Sequence, residues 1–577
     1  GAADNYSNTV YIWASALDWE IRGDHPWIKN VLTHEIAHVM TLDKARKKWP
    51  FRVALLSVSR YDSNPDITFN FPLYYLNTPA WWVEGVAQFA PTHLFRWDSW
   101  DSHRDMLLRT AVIEDDLSTL NEMGGLSHRS GGYRAEQVYN QGFGLLMYTA
   151  ATYGADKVHQ LQDNVGSMSF NPAIRKVLGI SAQQLYDDWV LFLKEQYSQQ
   201  VDEIRNQGFF EGDPLENVNE GVIEYHPSYS PDGKKLAYIT SQDRDYRIPF
   251  VVIYDFETGK KHVVKKYVDT RISWFPDSNR ILFVRNKNGY NDLFVYDIAK
   301  EEERRISAGL RAKDPNVSPD GNQIVFVRNR DGNQSLNLIN ADGTDLVQLT
   351  NHNNRTQIYA PRWSPNGESI LFSIFSGEDR DIAIIRGNSP PMDKKTGLRP
   401  PMDDIADSLK VFPDSLAFPA PDTSGFKSLL ATKADERDPY WLPDGSGFVF
   451  ASDYTGIFNI YHCAIETGEV RQLTNVLGGA FTPTVSLDSR VTYASYHANN
   501  FDLYEFVLDP IAQKTVALES VSERDLPYYQ LVQRGPKLSE DYSLYRYRGR
   551  RVMDVVPLFQ VGPTFVGNNF GLNQVSG

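Results

Sequence analysis

With 577 residues the chain is too long for one ordinary domain, and two or more are expected. Its net charge of −15 excludes a general nucleic-acid binder, which carries a basic face. A single cysteine, Cys463, excludes a disulfide framework and a thiolate zinc cage, so any metal must use histidine and carboxylate ligands.

No apolar run approaches the roughly 20 residues of a membrane helix. The 31 Tyr and 30 Phe suit a chain rich in strands. The start, Gly1-Ala2-Ala3-Asp4, reads as a processed or trimmed terminus. In chain order, a short strand is predicted at 9–13, followed by helices at 27–41, 80–89 and 135–153, the last closed by Gly154 as a C-cap. Ile28, Val31, Leu32, Ile36 and Val39 give the first of these helices an apolar side. Helices at 172–179 and 181–199, the latter with Ser181 as N-cap, complete a mainly α region at 1–206. A linker is expected at 207–221.

From residue 222 the period changes to short alternating strands, and a repeat appears. Its marker is a Pro-Asp-Gly-like turn: Ser230-Pro231-Asp232-Gly233, Phe275-Pro276-Asp277-Ser278, Ser318-Pro319-Asp320-Gly321, Ser364-Pro365-Asn366-Gly367, Leu442-Pro443-Asp444-Gly445 and a degenerate Ser486-Leu487-Asp488-Ser489. Proline fixes φ and Asp-Gly makes the tight return, so Asp232, Asp320 and Asp444 read as turn residues. A repeat of roughly 40–45 residues with four short strands is a propeller blade, and six copies predict an all-β six-bladed propeller over 222–520. A Pro-rich insertion is expected at 388–434. The tail at 521–577 alternates apolar with small or polar residues around several glycines. It is expected either to begin an outer-membrane β-barrel of a longer protein or to dock as an extended tail on the propeller.

The chemistry sits in His34-Glu35-Ile36-Ala37-His38. On a helix, His34 and His38 project from one face and can grip one zinc ion, while Glu35 can take a proton from water. A second helix carrying Glu84 would supply a third ligand. Taken singly, the histidines also fit the polar face of an amphipathic helix, Glu84 a surface acid and Tyr139 a core aromatic. The combination is more specific.

Pro79 to Ala87 reads Pro-x-Trp-Trp-x-Glu-Gly-x-Ala and resembles the third-ligand helix of the gluzincins, metallopeptidases with two His ligands and a Glu ligand. Tyr139-Asn140-Gln141-Gly142-Phe143-Gly144-Leu145-Leu146 is similar to the Tyr-x-x-Gly-Phe-x-Leu-Leu stretch of aminopeptidase N-like gluzincins. The resemblance implies a mainly α, zincin-like metallopeptidase domain with Zn2+ held by His34, His38 and Glu84. It implies Glu35 as general base and Tyr139 as oxyanion donor, with Tyr133 and Tyr148 as competitors for that role. The Gly-x-Met-Glu-Asn segment of aminopeptidases is missing, which favours an endopeptidase acting on a peptide or protein substrate. The strands that usually precede the zinc helix are nearly absent, which implies sluggish hydrolysis if they form the wall that holds substrate.

The repeats look like those of TolB-like propellers. That resemblance implies a bacterial cell-envelope or secreted protein whose propeller gates substrate or binds an envelope partner, and the barrel-like pattern of the tail suggests outer-membrane association. Two other functions are compatible with the sequence. One is a non-catalytic envelope scaffold that retains a peptidase-like domain, and the other is a hydrolase of another amide, such as a peptidoglycan crosslink.

Overall fold

The strands after residue 222 fold into antiparallel sheets around a common axis. The structure is a computed structural model that describes residues 2–4, 9–11, 27–46, 78–92, 101–124, 134–165, 170–241, 249–268, 271–287, 289–330, 333–352, 356–375, 380–387, 425–497, 499–508 and 514–518. The tail at 521–577 and Tyr133 lie outside these residues.

Six sheets follow one another along the chain, and the first four are plain up-and-down meanders. The fifth gains an outer strand, Lys514–Thr515, from beyond blade six, and the sixth takes its outer strand from before blade one. Their first strands are Glu224–Tyr229, Ser273–Trp274, Ala312–Val317, Gln357–Trp363, Glu436–Trp441 and Ala480–Val485. Each first strand touches the first strands of the two neighbouring sheets, and the sixth touches the first, so these strands ring the axis. This closed ring defines a six-bladed propeller.

Two strands lie where the sequence suggested none. Asp213–Pro214, inside the expected linker, pairs with Asn500–Val507 as the outer strand of blade six, closing the ring with a segment from before blade one. Lys427–Leu430, inside the expected insertion, is the outer strand of blade four. Both are short edge strands with too few residues to display a period.

The marker turns show why they recur. Gly233, Gly321 and Gly445 have φ of 73, 76 and 73°, which only glycine adopts freely. Asp232 Oδ1 accepts from Ser230 Oγ at 2.6 Å and from Lys234 N at 3.1 Å, tying the turn to the strand that follows.

The helices before the propeller are α1 (Trp27–Arg46), α2 (Ala80–Thr92), α3 (Ser102–Ile113), α4 (Arg134–Tyr153), α5 (Ala155–Val165), α6 (Phe170–Leu178) and α7 (Ala182–Asn206). Ser181 Oγ accepts from Gln184 N at 3.0 Å as the α7 N-cap, and Gly154 (φ 103°) ends α4. A two-stranded ribbon of Ala2–Asp4 and Thr9–Tyr11 packs on α1.

Helix α3 falls between the helices expected at 80–89 and 135–153, where the sequence suggested no element. Its hidden face carries Ser102, His103, Asp105, Arg109 and Thr110 beside Met106, Leu107 and Leu108, so its polar residues mask the helical period. These polar groups bind the helices to the propeller. Arg109 donates to Asp105 Oδ2 at 2.5 Å and to the carbonyls of Leu477 and Gly478 at 2.8 and 2.7 Å. Ser102 Oγ donates to Asp453 Oδ2 at 2.5 Å, and Gln137 Nε2 donates to Asn499 Oδ1 at 2.6 Å. Met106 and Leu107 share an apolar cluster with Phe458, Phe481 and Tyr496 of the propeller.

Candidate functional site

Helix α1 turns a different face inward from the one its apolar stripe suggests. Val31, Glu35, Ala37, His38 and Thr41 are buried, whereas Leu32, Ile36 and Met40 are exposed. The inward face is the one carrying the expected site. Helix α1 is held against α2 and α5, and Gln162 Nε2 of α5 donates to the Thr41 carbonyl at 3.2 Å.

Helices α2 and α4 cross at backbone contact, set by two glycines. A methyl group on Gly85 would sit 2.7 Å from the Gly142 carbonyl oxygen, and one on Gly142 would sit 2.3 Å from the Trp81 oxygen. Trp81 and Trp82 anchor α2 against Phe170 of α6, with ring centroids 5.3 and 5.2 Å apart. The glycines therefore bring Glu84, next to Gly85, within reach of α1, and bring Tyr139, one turn before Gly142, over the same site.

Three side chains meet there. His34 Nε2 and His38 Nε2 are 2.9 Å apart, and Glu84 Oε2 lies 3.3 and 3.1 Å from them. Among the described residues this is the group of His, Cys, Asp and Glu side chains arranged to hold a metal ion. Burial alone would raise the Glu84 carboxyl, but contact with His34 and His38 holds it down to about 2. Burial would lower His38, and contact with Glu84 raises it instead.

The donor set fits zinc. Bonds of about 2.0–2.1 Å at tetrahedral angles place ligand atoms roughly 3.3 Å apart, close to the separations of these three atoms. Two imidazoles and one carboxylate also match zinc's ligand preferences. Glu84 Oε2 makes no aligned hydrogen bond despite its burial, as expected of a lone pair directed at a site of charge.

Glu35 is buried beside the pair. Burial raises its carboxyl above the usual range, with the charge of His38 opposing. The Tyr139 ring stacks near His34, with centroids 6.3 Å apart. Tyr148, nine residues on, faces the other way against Phe192 at 5.3 Å.

Sequence reading missed a second polar cluster, on the propeller axis. In five blades the first strand bulges at a residue of positive φ followed by proline: His226 (54°), Asp314 (47°), Ala360 (48°), Asp438 (57°) and Thr482 (49°). Blade two has Arg271-Ile272 instead. Arg271 of blade two pairs with Asp438 of blade five, directly across the ring, and donates to His226 Nδ1 at 2.9 Å. An ion pair between opposite blades must cross the axis, so it bars the channel at this level. The available signal was a proline four residues before the marker proline, at Pro227, Pro315, Pro361 and Pro439.

The two clusters are joined through α3. Arg104 donates to Gln88 Oε1 of α2 at 2.8 Å, and its carbonyl accepts from Asn140 Nδ2, beside Tyr139, at 2.9 Å. The adjacent His103 contacts Arg437 Nη1 at 3.1 Å, next to Asp438.

Residues 212–394 match the family model of the TolB beta propeller domain. The β part is a TolB-like propeller. Relatives of known name match the chain more thinly. The uncharacterized peptidase YuxL of Bacillus subtilis (strain 168) is 24% identical over 237 residues, covering 40% of this chain and 29% of the relative. Dipeptidyl-peptidase 5 of Porphyromonas gingivalis is 31% identical over 100 residues, 16% of this chain and 15% of the relative. The chain spans less than a third of the length of either. Among solved structures, TolB from Acinetobacter baumannii is 20% identical, with a TM-score of 0.35 over 45% of this chain and 56% of that one. The family model covers part of the propeller, and the three-ligand cluster stands on its own geometry.

Proposed function

We propose that the chain is a zinc-dependent peptidase, cutting within peptide chains, whose active site is carried by helices docked on a TolB-like propeller. The observation that carries this reading is the convergence of His34, His38 and Glu84 donor atoms at 2.9–3.3 Å. Three protein donors are the count typical of a catalytic zinc site, which keeps a fourth position for water or substrate. Zinc held there supplies Lewis acidity to a carbonyl oxygen and to water.

The chain's own residues do the rest. Glu35, buried and with a raised pKa, accepts a proton at its carboxylate from the attacking water and returns it to the leaving amine. Tyr139 donates its phenolic hydrogen to the oxygen that becomes negative in the tetrahedral state. The peptidase names of two relatives agree with hydrolysis of peptide bonds and do not bear on the metal.

In this reading the propeller is a docking platform. The Arg271–Asp438 pair across the axis argues against passage of a peptide through the channel to the helices. A TolB-like propeller is also in keeping with a place in the bacterial cell envelope and with an envelope partner. No described helix is long and apolar enough to cross a membrane.

The test is Glu35→Gln. The variant is expected to retain zinc by metal analysis while hydrolysis of an unstructured protein falls by about 100-fold or more. Undiminished hydrolysis would sink the assignment.

A further inference from the structure

The axial cluster lines a partly open cavity of about 10 Å³, with room for one water-sized group such as a single carboxylate oxygen, bordered by His226, Arg271, Arg362, Asp438 and Thr482 among others. Its charges do not cancel. Both Asp438 oxygens are engaged, one by Arg271 and the other by Arg437 Nε at 3.3 Å and Thr482 N at 3.4 Å. Arg271 is committed to Asp438 and His226.

Arg362 is left over. Its guanidinium lies against the Tyr440 face, 5.4 Å from the centroid, and its buried Nε has no hydrogen-bond partner. Burial and the like charge of Arg271 push Arg362 down to about 10, against the opposing charges of Asp314 and Asp438. Two guanidinium groups therefore line a small pocket with one carboxylate that is already engaged, and the nearby Asp314 carboxylate is held by Ala360 N at 3.0 Å. Such a pocket favours an anion with a narrow head, and planar guanidinium donors match a carboxylate.

We propose that the axial pocket of the propeller binds a single carboxylate group, received by Arg362 with Arg271 beside it. The carboxylate comes either from a small free acid or from the C-terminal end of a peptide. This site does not depend on zinc or on the reading of the helical site.

The experiment is calorimetric titration of the full chain with acetate, N-acetylglycine and N-acetylglycinamide in a halide-free buffer. Acetate and N-acetylglycine are expected to bind one per chain, and the uncharged amide is not. Arg362→Gln should weaken both acids by about tenfold or more, whereas Arg362→Lys should weaken them less. N-acetylglycine binding clearly tighter than acetate assigns the site to a chain end, and equal binding assigns it to a free acid. No saturable acetate binding overturns the proposal, as does equal binding by Arg362→Gln or by the amide. Crystals of the unaltered chain soaked in bromide give a check independent of variant folding. An anomalous peak within hydrogen-bonding distance of Arg362 is expected, and a pocket without one contradicts the assignment.

Discussion

Glu84 and Glu224 are both buried carboxyls, and their neighbours send them opposite ways. Glu84 lies against two imidazoles and is held down to about 2. Glu224, on the first strand of blade one, is raised to about 8 by burial, the Thr240 hydroxyl that donates to it at 3.0 Å opposing the rise and the charge of Asp502 adding to it. In the folded chain Glu224 keeps a proton that the unfolded chain releases at its ordinary 4.5. Its contribution to stability is therefore complete below the unfolded value and is lost as pH rises towards 8. Glu224→Gln should flatten the fall in stability over this interval by up to about 1.4 kcal/mol per pH unit, read from urea midpoints across pH. An unchanged slope would show that Glu224 is ionised in the folded protein.

At the scale of elements, the crossing of α2 and α4 decides whether Glu84 and Tyr139 face one point. Gly142→Ala puts a methyl 2.3 Å from the Trp81 carbonyl oxygen, so the helices must part. A loss of about 1–3 kcal/mol in stability is expected, together with weaker zinc retention. Gly124→Ala, which meets nothing within 4 Å, should change neither.

Much of this level is legible in the sequence, because α1, α2, α4 and α7 are long and periodic, His34 and His38 are one helical turn apart, and Glu84 sits in a recognisable Trp-Trp-x-Glu-Gly run on the next helix. Two features are not. The apolar stripe of α1 reveals a helix but not which side faces in, because Leu32 and Ile36 stay exposed while Glu35 and His38 are buried. Helix α3 hides behind its own buried polar residues, whose partners Asp453, Leu477 and Gly478 lie more than 300 residues away in the chain.

For the whole molecule, attachment of the helices to the propeller rests on Arg109 and Asp105, both fully buried. Asp105 also accepts from Tyr197 Oη at 2.8 Å, so α7 joins the same network. Arg109→Met leaves the Asp105 charge without its cation and should cost about 3–5 kcal/mol in urea unfolding. Adding Asp105→Asn should recover part of that loss. The propeller's six-fold plan was readable because each blade repeats a turn with a mechanical reason. The ion pair across its axis was not, since Arg271 and Asp438 are brought together only by closure of the ring.

The most direct measurement of the central claim is zinc content together with hydrolysis of casein by the same preparation, before chelation, after chelation and after zinc is restored. One zinc per chain is expected, with hydrolysis that disappears on chelation and returns with the metal. Hydrolysis indifferent to chelator, or zinc bound without any hydrolysis, would contradict the account, and the second outcome would favour a scaffold that keeps the metal site for its shape.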